Sequence, residues 1–287
     1  VDGSKVATGK DFTADGQPKK NVVVVTEGRA RGLADALSSA AFAVRSVEEK
    51  PYRSSAKAPF MTSTLQQEGG RKLRLGAAQV MRIAQGLYER GYITYMRTDN
   101  VVLSAEALAA VRAEVQRGYG AKFLSPAPRQ FSTKVKNAQE AHEAIRPSTP
   151  LRTPESLAGE LNGQELSLFR LIWQRTLASQ MADAAGTTVS VRVVATAIEN
   201  AASSDCEFAA SGTTITFAGY RQVYVESTDD TEANDEEKEA LLPPLTVGQS
   251  VPVSALTPNG HATVPPARYT EASLVKKLEE LGIGRPS

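Results

Sequence analysis

The sequence predicts an α+β fold: a β-rich domain, a mostly helical domain inserted into it, and the beginning of a further helical segment. Three observations carry this. The first ~57 residues read mostly as strand, residues 58–182 carry apolar positions at helical spacing, and from about Thr187 the apolar period returns to two. The β-rich domain is therefore expected over 1–57 and 183–262, the helical domain over 58–182, and the last segment over 263–287.

Within the first part, "NVVVV" (21–25) is a short apolar run and "FAVRSVEEKPYRSS" (42–55) alternates in character. Between them, "ARGLADALSSAA" spaces Leu33 and Leu37 as on a helix face. "PFMTSTLQQEGGRKL" (59–73) sets Ser63 three residues before Gln66, a capping-box pattern that opens a short helix, with Gly69-Gly70 expected to weaken or end it. "LGAAQVMRIAQGLYERGY" (75–92) places Val80, Ile83, Ala84, Leu87 and Tyr88 on one face and stops at Gly91, a C′ glycine. Two helices followed by a short strand resemble a winged helix.

Further helices are expected behind Ser104 ("SAEALAAVRAEVQ") and over "QELSLFRLIWQRTLASQMA", where Leu166, Phe169, Trp173 and Leu177 form an apolar stripe best read as core. "TTVSVRVVATAIEN" (187–200) and "TTITFAGYRQVYVE" (213–226) read as strands, with "AASSDCEFAASG" between them as a turn region. "STDDTEANDEEKEA" (227–240) is acidic and free of aromatics, most simply a solvated loop; the alternative, a divalent-metal role, lacks a rigid strand–loop context. A last amphipathic helix begins at Thr270, aligns Leu274, Leu278 and Leu281, and ends before Gly282.

Composition narrows the function classes. The 41% hydrophobic and 23% charged fractions are those of a water-soluble globular chain, and no apolar run approaches the ~20 residues that span a bilayer. No membrane partner is expected. One cysteine, Cys206, excludes an internal disulfide and suits a reducing compartment such as the cytoplasm. The two histidines, His142 and His261, lie far apart without nearby cysteines, so no metal site is assigned to this chain. Net charge is only +1, yet residues 57–181 hold 17 of the 33 Lys and Arg against 10 of the 32 Asp and Glu, leaving 16 against 22 elsewhere. A basic middle between acidic flanks is what a polyanion-binding segment would show.

The chemistry concentrates in "GYITYMRTDN" (91–100). On a strand, Ile93, Tyr95, Arg97 and Asp99 would share one face, and Tyr92, Thr94, Met96 and Thr98 the other. Phenol, guanidinium and carboxylate then align at spacing two. A phenol of pKa ~10 is a poor nucleophile at neutral pH. A neighbouring guanidinium stabilises the phenolate and can bind phosphate oxygens. On spacing alone two readings stand: a tyrosine that attacks a phosphodiester, or a packing tyrosine beside an Arg97–Asp99 ion pair. A second cluster, "AQEAHEAIRPS" (138–148), sets His142 and Arg146 four apart, where a helix would present both on one face. Pro147 would end that helix.

Four stretches, "PFMTSTLQQE", "GYITYMRTDN", "AQEAHEAIRP" and "PPARYTEASLVKKLEELGIGRPS", occur in the order seen in the bacterial DNA topoisomerase I family, the type IA class, and in detail resemble its actinobacterial members. The resemblance spans almost the whole chain. It implies that Tyr95 is the nucleophile, forming a 5′-phosphotyrosyl link and releasing a 3′-hydroxyl. Arg97 would assist at the scissile phosphate, and His142 would contact DNA beside it. Thr94, Asp99, Glu143 and Arg146 fall in the same motifs and would shape the site, while Arg268 and Arg285 match basic positions near the single-strand path. Asn100 stands where many relatives carry serine.

The resemblance further implies that the β-rich domain is the arch and hinge that lets the helical domain swing away, and that the last segment begins the domain gripping single-stranded DNA. The partners would be single-stranded and negatively supercoiled DNA and the enzyme's other domains. Transesterification conserves bond energy and needs no ATP, in keeping with the lack of a glycine-rich phosphate loop. The family's Mg²⁺ is held by acidic residues of an N-terminal domain, and no strand-ended Asp-x-Asp pattern occurs here. The chain therefore reads as a fragment that binds no Mg²⁺ and is inactive alone. The alternatives are a non-catalytic DNA-binding or structural module, or a tyrosine enzyme of the 3′-linking kind.

Overall fold

The computed structural model describes residues 1–13, 15–132, 142–199, 202–227, 242–262 and 267–283. Two compact units are present. The first comprises Val1–Pro51, Thr187–Thr214 and Glu236–Ala267, and the second Tyr52–Gly186, Ile215–Asp235 and Arg268–Ser287. Among the described residues no helix is long and apolar enough to cross a membrane.

In the first unit, β1 (Lys5–Val6) pairs in parallel with β2 (Val22–Val23). Helix α1 (Glu27–Leu37) opens behind Thr26, whose side chain accepts from the Arg29 N–H. Its Leu33 and Leu37, the pair picked out by spacing, pack in a small core with Phe42, Ala195, Ala197 and Cys206. The strands β3 (Ala43–Ser54), β4 (Ala184–Glu199) and β5 (Ala202–Phe217) form a sheet in that order, and the boundary between the units falls within each of them.

Strand β5 corrects two expectations. Ala202–Gly212 of "AASSDCEFAASG" is strand rather than turn, and "TTITFAGYRQVYVE" is strand only to Phe217. Of residues 203–211 only Cys206 is buried, so backbone pairing with β4 holds this stretch and leaves no apolar alternation to read. Beyond Phe217 the backbone turns at Gly219 (φ +51°) into a 3₁₀ turn, Gly219–Gln222.

The second unit is built on helices α2 (Thr62–Leu73), α3 (Ala77–Glu89), α4 (Ala105–Tyr119), α5 (Gly163–Ser179) and α6 (Glu271–Glu280). Ser63 is not the cap of α2. Met61 is, and its N–H donates to the Thr64 hydroxyl at 3.1 Å. The glycine pair does not end α2 either. A Cβ on Gly69 would lie 2.6 Å from a Val80 methyl, so its bare Cα lets α3 approach closely. Helix α5 is buried around most of its circumference, with Leu168, Phe169, Leu171, Ile172 and Leu177 in one core with Phe60, Leu65, Val80 and Leu87. Helix α6 caps on Thr270 and rests Ala272 against α2 near Gly70. It leaves Leu274 and Leu281 exposed.

A charged cluster ties α2, α5 and the 220–226 segment together. Arg175 lies over the rings of Phe60 and Tyr224 at 5.0 and 5.2 Å, and donates to the Ala58 carbonyl and to Glu226. Tyr224, 4% exposed, donates to Glu68 at 2.5 Å, and Arg71 pairs with the same carboxylate at 3.2 Å. Burial, then the Glu68 carboxylate, hold the Tyr224 phenol above its ordinary pKa despite Arg175. A proton held more tightly in the folded state gives stability that is full below the unfolded value of ~10 and is lost as pH rises past it. Tyr224→Phe is therefore expected to make the decline of stability above pH ~10 shallower, by up to ~1.4 kcal/mol per pH unit. Denaturant titrations at pH 9, 10 and 11 measure the difference, and equal slopes for both proteins would refute it.

Candidate active site

The segment after α3 is not a strand. Its one ladder contact is an isolated antiparallel bridge between Ile93 and Pro147, so the wing expected there is absent. Helix α3 ends with Gly91 at φ +77°, its N–H on the Tyr88 carbonyl, and the Tyr92 N–H turned back to the Leu87 carbonyl. Ile93, 1% exposed, anchors the chain in the core. From residue 95 the burial nonetheless alternates. Met96, Thr98 and Asn100 are buried, Tyr95 and Asp99 half-buried, and Arg97 exposed. The spacing-two alignment of Tyr95, Arg97 and Asp99 thus survives without a sheet.

Side chains from other segments replace the missing ladder. The Thr94 N–H donates to the Arg146 carbonyl (2.9 Å), and its hydroxyl donates to the Ala144 carbonyl (2.7 Å) and accepts from the Arg146 N–H (2.9 Å). Thr62, at the first turn of α2, bonds the backbone around Met96 and Thr98. Asn100 accepts from the Val102 N–H and donates from Nδ2 to the His142 carbonyl at 2.6 Å.

These bonds bring His142 to Tyr95, ring centroids 5.4 Å apart and tilted 35°. Tyr88 meets Tyr95 edge-on at 5.2 Å. The His142 Nδ1 is buried with no hydrogen-bond partner among the described residues. Arg97 is exposed and forms no salt bridge among the described residues.

His142 and Arg146 do not share a helix face. Residues 142–146 are not helical, and Arg146, 7% exposed, is committed to Glu143 (2.6 Å) and to the Pro147 carbonyl (2.9 Å). Burial raises the Glu143 pKa, but hydrogen bonds from Arg146 and Ser104, the cap of α4, outweigh it and hold the carboxyl below its usual range. Glu143 therefore ties this segment to the start of α4. Arg268 is exposed two residues before Thr270, the cap of α6, and Arg285 lies outside the described residues. The acidic stretch after Ser227 lies outside them too. Among the described residues no three His, Cys, Asp or Glu side chains converge to hold a metal ion.

Sequence reasoning missed two contributors. Tyr88 falls on the apolar face of α3 by spacing but is 41% exposed beside Tyr95, and Thr62 has no assigned role by sequence yet is buried against the tyrosine segment. A buried threonine at a helix start carries no signal in one sequence. Tyr88 does, as the polar-tipped end of an apolar stripe.

Comparisons with known proteins show the family. A family model described as "DNA topoisomerase" matches residues 5–287. The chain is 54% identical to DNA topoisomerase 1 of Streptomyces coelicolor over 289 aligned positions, covering 100% of this chain and 30% of that protein. It is 53% identical to DNA topoisomerase 1 of Mycobacterium tuberculosis H37Rv, covering 100% and 31%. The solved structure of full-length topoisomerase I from Thermotoga maritima is similar with a TM-score of 0.71 and 30% identity, over 94% of this chain and 41% of that one. The chain thus spans about 30% of the length of the curated relatives it matches. On the family match, the whole-chain identities and the shared fold, this chain belongs to the type IA family of DNA topoisomerases.

Proposed function

We propose that this chain is the tyrosine-bearing part of a longer type IA enzyme that cuts one DNA strand, passes another through the break and reseals it, relaxing negative supercoils without ATP. The observation that carries the reading is the group around Tyr95: a half-buried phenol against His142 and Tyr88, with the exposed Arg97 on the same outward side of the segment.

In the proposed step the Tyr95 oxygen attacks phosphorus as its proton leaves. That proton passes to solvent, the P–O bond to the 3′ oxygen breaks, and the leaving oxygen takes a proton from solvent, giving a 5′-phosphotyrosyl ester and a 3′-hydroxyl. Arg97 neutralises the non-bridging oxygens, on which charge builds, and His142 holds the flanking DNA. Thr94, Asp99, Glu143 and Arg146 fix the two segments that carry these groups. Resealing is the same step reversed. Arg268 and Arg285 would meet single-stranded DNA through its phosphates. The β-rich part would act as arch and hinge, which the division of the chain within β3, β4 and β5 supports. The last segment would begin the single-strand-binding domain, and the enzyme would work in the cytoplasm on the nucleoid.

Among the described residues no three His, Cys, Asp or Glu side chains could hold a metal ion, and the sequence has no strand-ended Asp-x-Asp pattern of the kind expected for the family's Mg²⁺. We assign that ion to another domain of the full enzyme. The isolated 287-residue chain is therefore expected not to relax a negatively supercoiled plasmid with Mg²⁺ present. Robust relaxation would show that the active site is complete in this chain.

The polarity of the link tests the reaction class. Full-length enzyme trapped on an oligonucleotide labelled at its 3′ end should retain the label covalently, and the same oligonucleotide labelled at its 5′ end should not label it. The opposite pattern would indicate a 3′-phosphotyrosyl enzyme, and no adduct with either would favour a non-catalytic DNA-binding module.

A further inference from the structure

Thr62 is the first residue of α2, fully buried, and lies in a stretch of sequence that suggests nothing beyond a helix start. Its hydroxyl donates to the Met96 carbonyl at 2.8 Å, shared with the Thr98 carbonyl at 3.0 Å, and accepts from the Thr98 N–H at 2.9 Å. Its own N–H donates to the Thr98 carbonyl at 2.9 Å. One side chain thus fixes the backbone immediately before and immediately after Arg97. No ladder does this work, because residues 94–100 belong to no strand. Arg97 itself is exposed, so neighbouring side chains do not set its direction. Its backbone root does.

We propose that Thr62 is a positioning residue for the cleavage reaction, holding the Met96–Thr98 backbone so that Arg97 projects beside the Tyr95 oxygen. The inference rests on the reading of Tyr95 and Arg97 given above. Loss of the hydroxyl would free the Met96 carbonyl and the Thr98 amide and let the guanidinium wander by about an ångström, enough to cost on the order of 10²-fold in a reaction that depends on orientation. The residue type fits the task. A hydroxyl can donate and accept at once, and a buried threonine at a helix start has little rotameric freedom.

The test is single-turnover cleavage of a saturating single-stranded oligonucleotide by the full-length enzyme. Thr62→Val, of the same shape without the hydroxyl, is expected to cleave 30-fold or more slowly with oligonucleotide affinity within threefold of the parent. Thr62→Ser, which restores the donor and acceptor, is expected within threefold of the parent rate. In an Arg97→Ala background Thr62→Val should cost less than threefold, because the group it positions is gone. A purely structural role would give the same loss in both backgrounds. Should Thr62→Val fail to melt cooperatively, Thr62→Cys, of similar size with a weak donor, carries the same comparison.

A parent-like rate for folded Thr62→Val or Thr62→Cys, failure of Thr62→Ser, or equal losses with and without Arg97 would each overturn the proposal. Tyr95→Phe in the same assay separates the two levels. If it still cleaves, the reading of the site is wrong. If it is inert while Thr62→Val cleaves normally, only this inference falls.

Discussion

Replacing Tyr95 by phenylalanine in the full-length enzyme is expected to reduce strand cleavage and plasmid relaxation by on the order of 10⁴-fold or more, the scale on which removal of a nucleophile acts. The Tyr95 ring contacts Tyr88 and His142, and both contacts survive the loss of one oxygen. Folding stability should therefore change by less than ~0.5 kcal/mol, as for a substitution that removes no core packing. The pairing of full inactivity with an unchanged melting curve sets a nucleophile apart from a packing residue. Retained cleavage, or inactivity with a large loss of stability, would return Tyr95 to a structural role.

The second large effect concerns the frame that carries the site. Gly219→Ala is expected to destabilise the protein by about 3 kcal/mol or more, lowering its melting temperature by about 6–12 °C. The position combines φ +51° with a contact that no side-chain adjustment relieves. An added Cβ would lie 2.3 Å from the Asp183 carbonyl oxygen and 2.5 Å from that of Ala182. Both are backbone atoms at the point where the chain enters β4, and the Ala182 carbonyl also accepts the Tyr220 N–H at 2.9 Å. The tyrosine site lies in the same unit, so activity should fall with stability and recover on cooling. A melting temperature within 2 °C of the parent, a shift worth under about 1 kcal/mol, would contradict this account.

What could be read from the sequence divides along physical lines. Helices announced themselves where a cap and an apolar stripe coincided. α4 behind Ser104 and α6 behind Thr270 began where expected, and α3 stopped at Gly91. β5 was missed because its residues are mostly exposed and its order comes from pairing with β4, which leaves no periodic trace. The tyrosine segment was read as a strand because its burial does alternate from residue 95. What the pattern could not reveal is that hydrogen bonds from Thr62, Thr94 and Asn100 hold it in place of a ladder.

The residues of the candidate site show the same split. The spacing-two row of Tyr95, Arg97 and Asp99 was legible, though spacing alone left both a nucleophile and a packing tyrosine open, and the structure sets the ring of His142 against Tyr95 across 47 positions of sequence. Spacing put Arg146 on one helix face with His142, but it is buried against Glu143, which makes it part of the support. Asn100, a departure from the serine expected of relatives, spans the two segments with its amide. A single chain shows which residue types can do chemistry together. It does not show which long-range bonds hold them there.

The most direct measurement is to trap full-length enzyme on a single-stranded oligonucleotide, digest the adduct and locate the nucleotide mass on the peptide ladder by mass spectrometry. A 5′-phosphorylated nucleotide is expected on the peptide containing residue 95, with fragment ions placing it on the tyrosine oxygen. An adduct on any other side chain, or one joined through a 3′ phosphate, would contradict it.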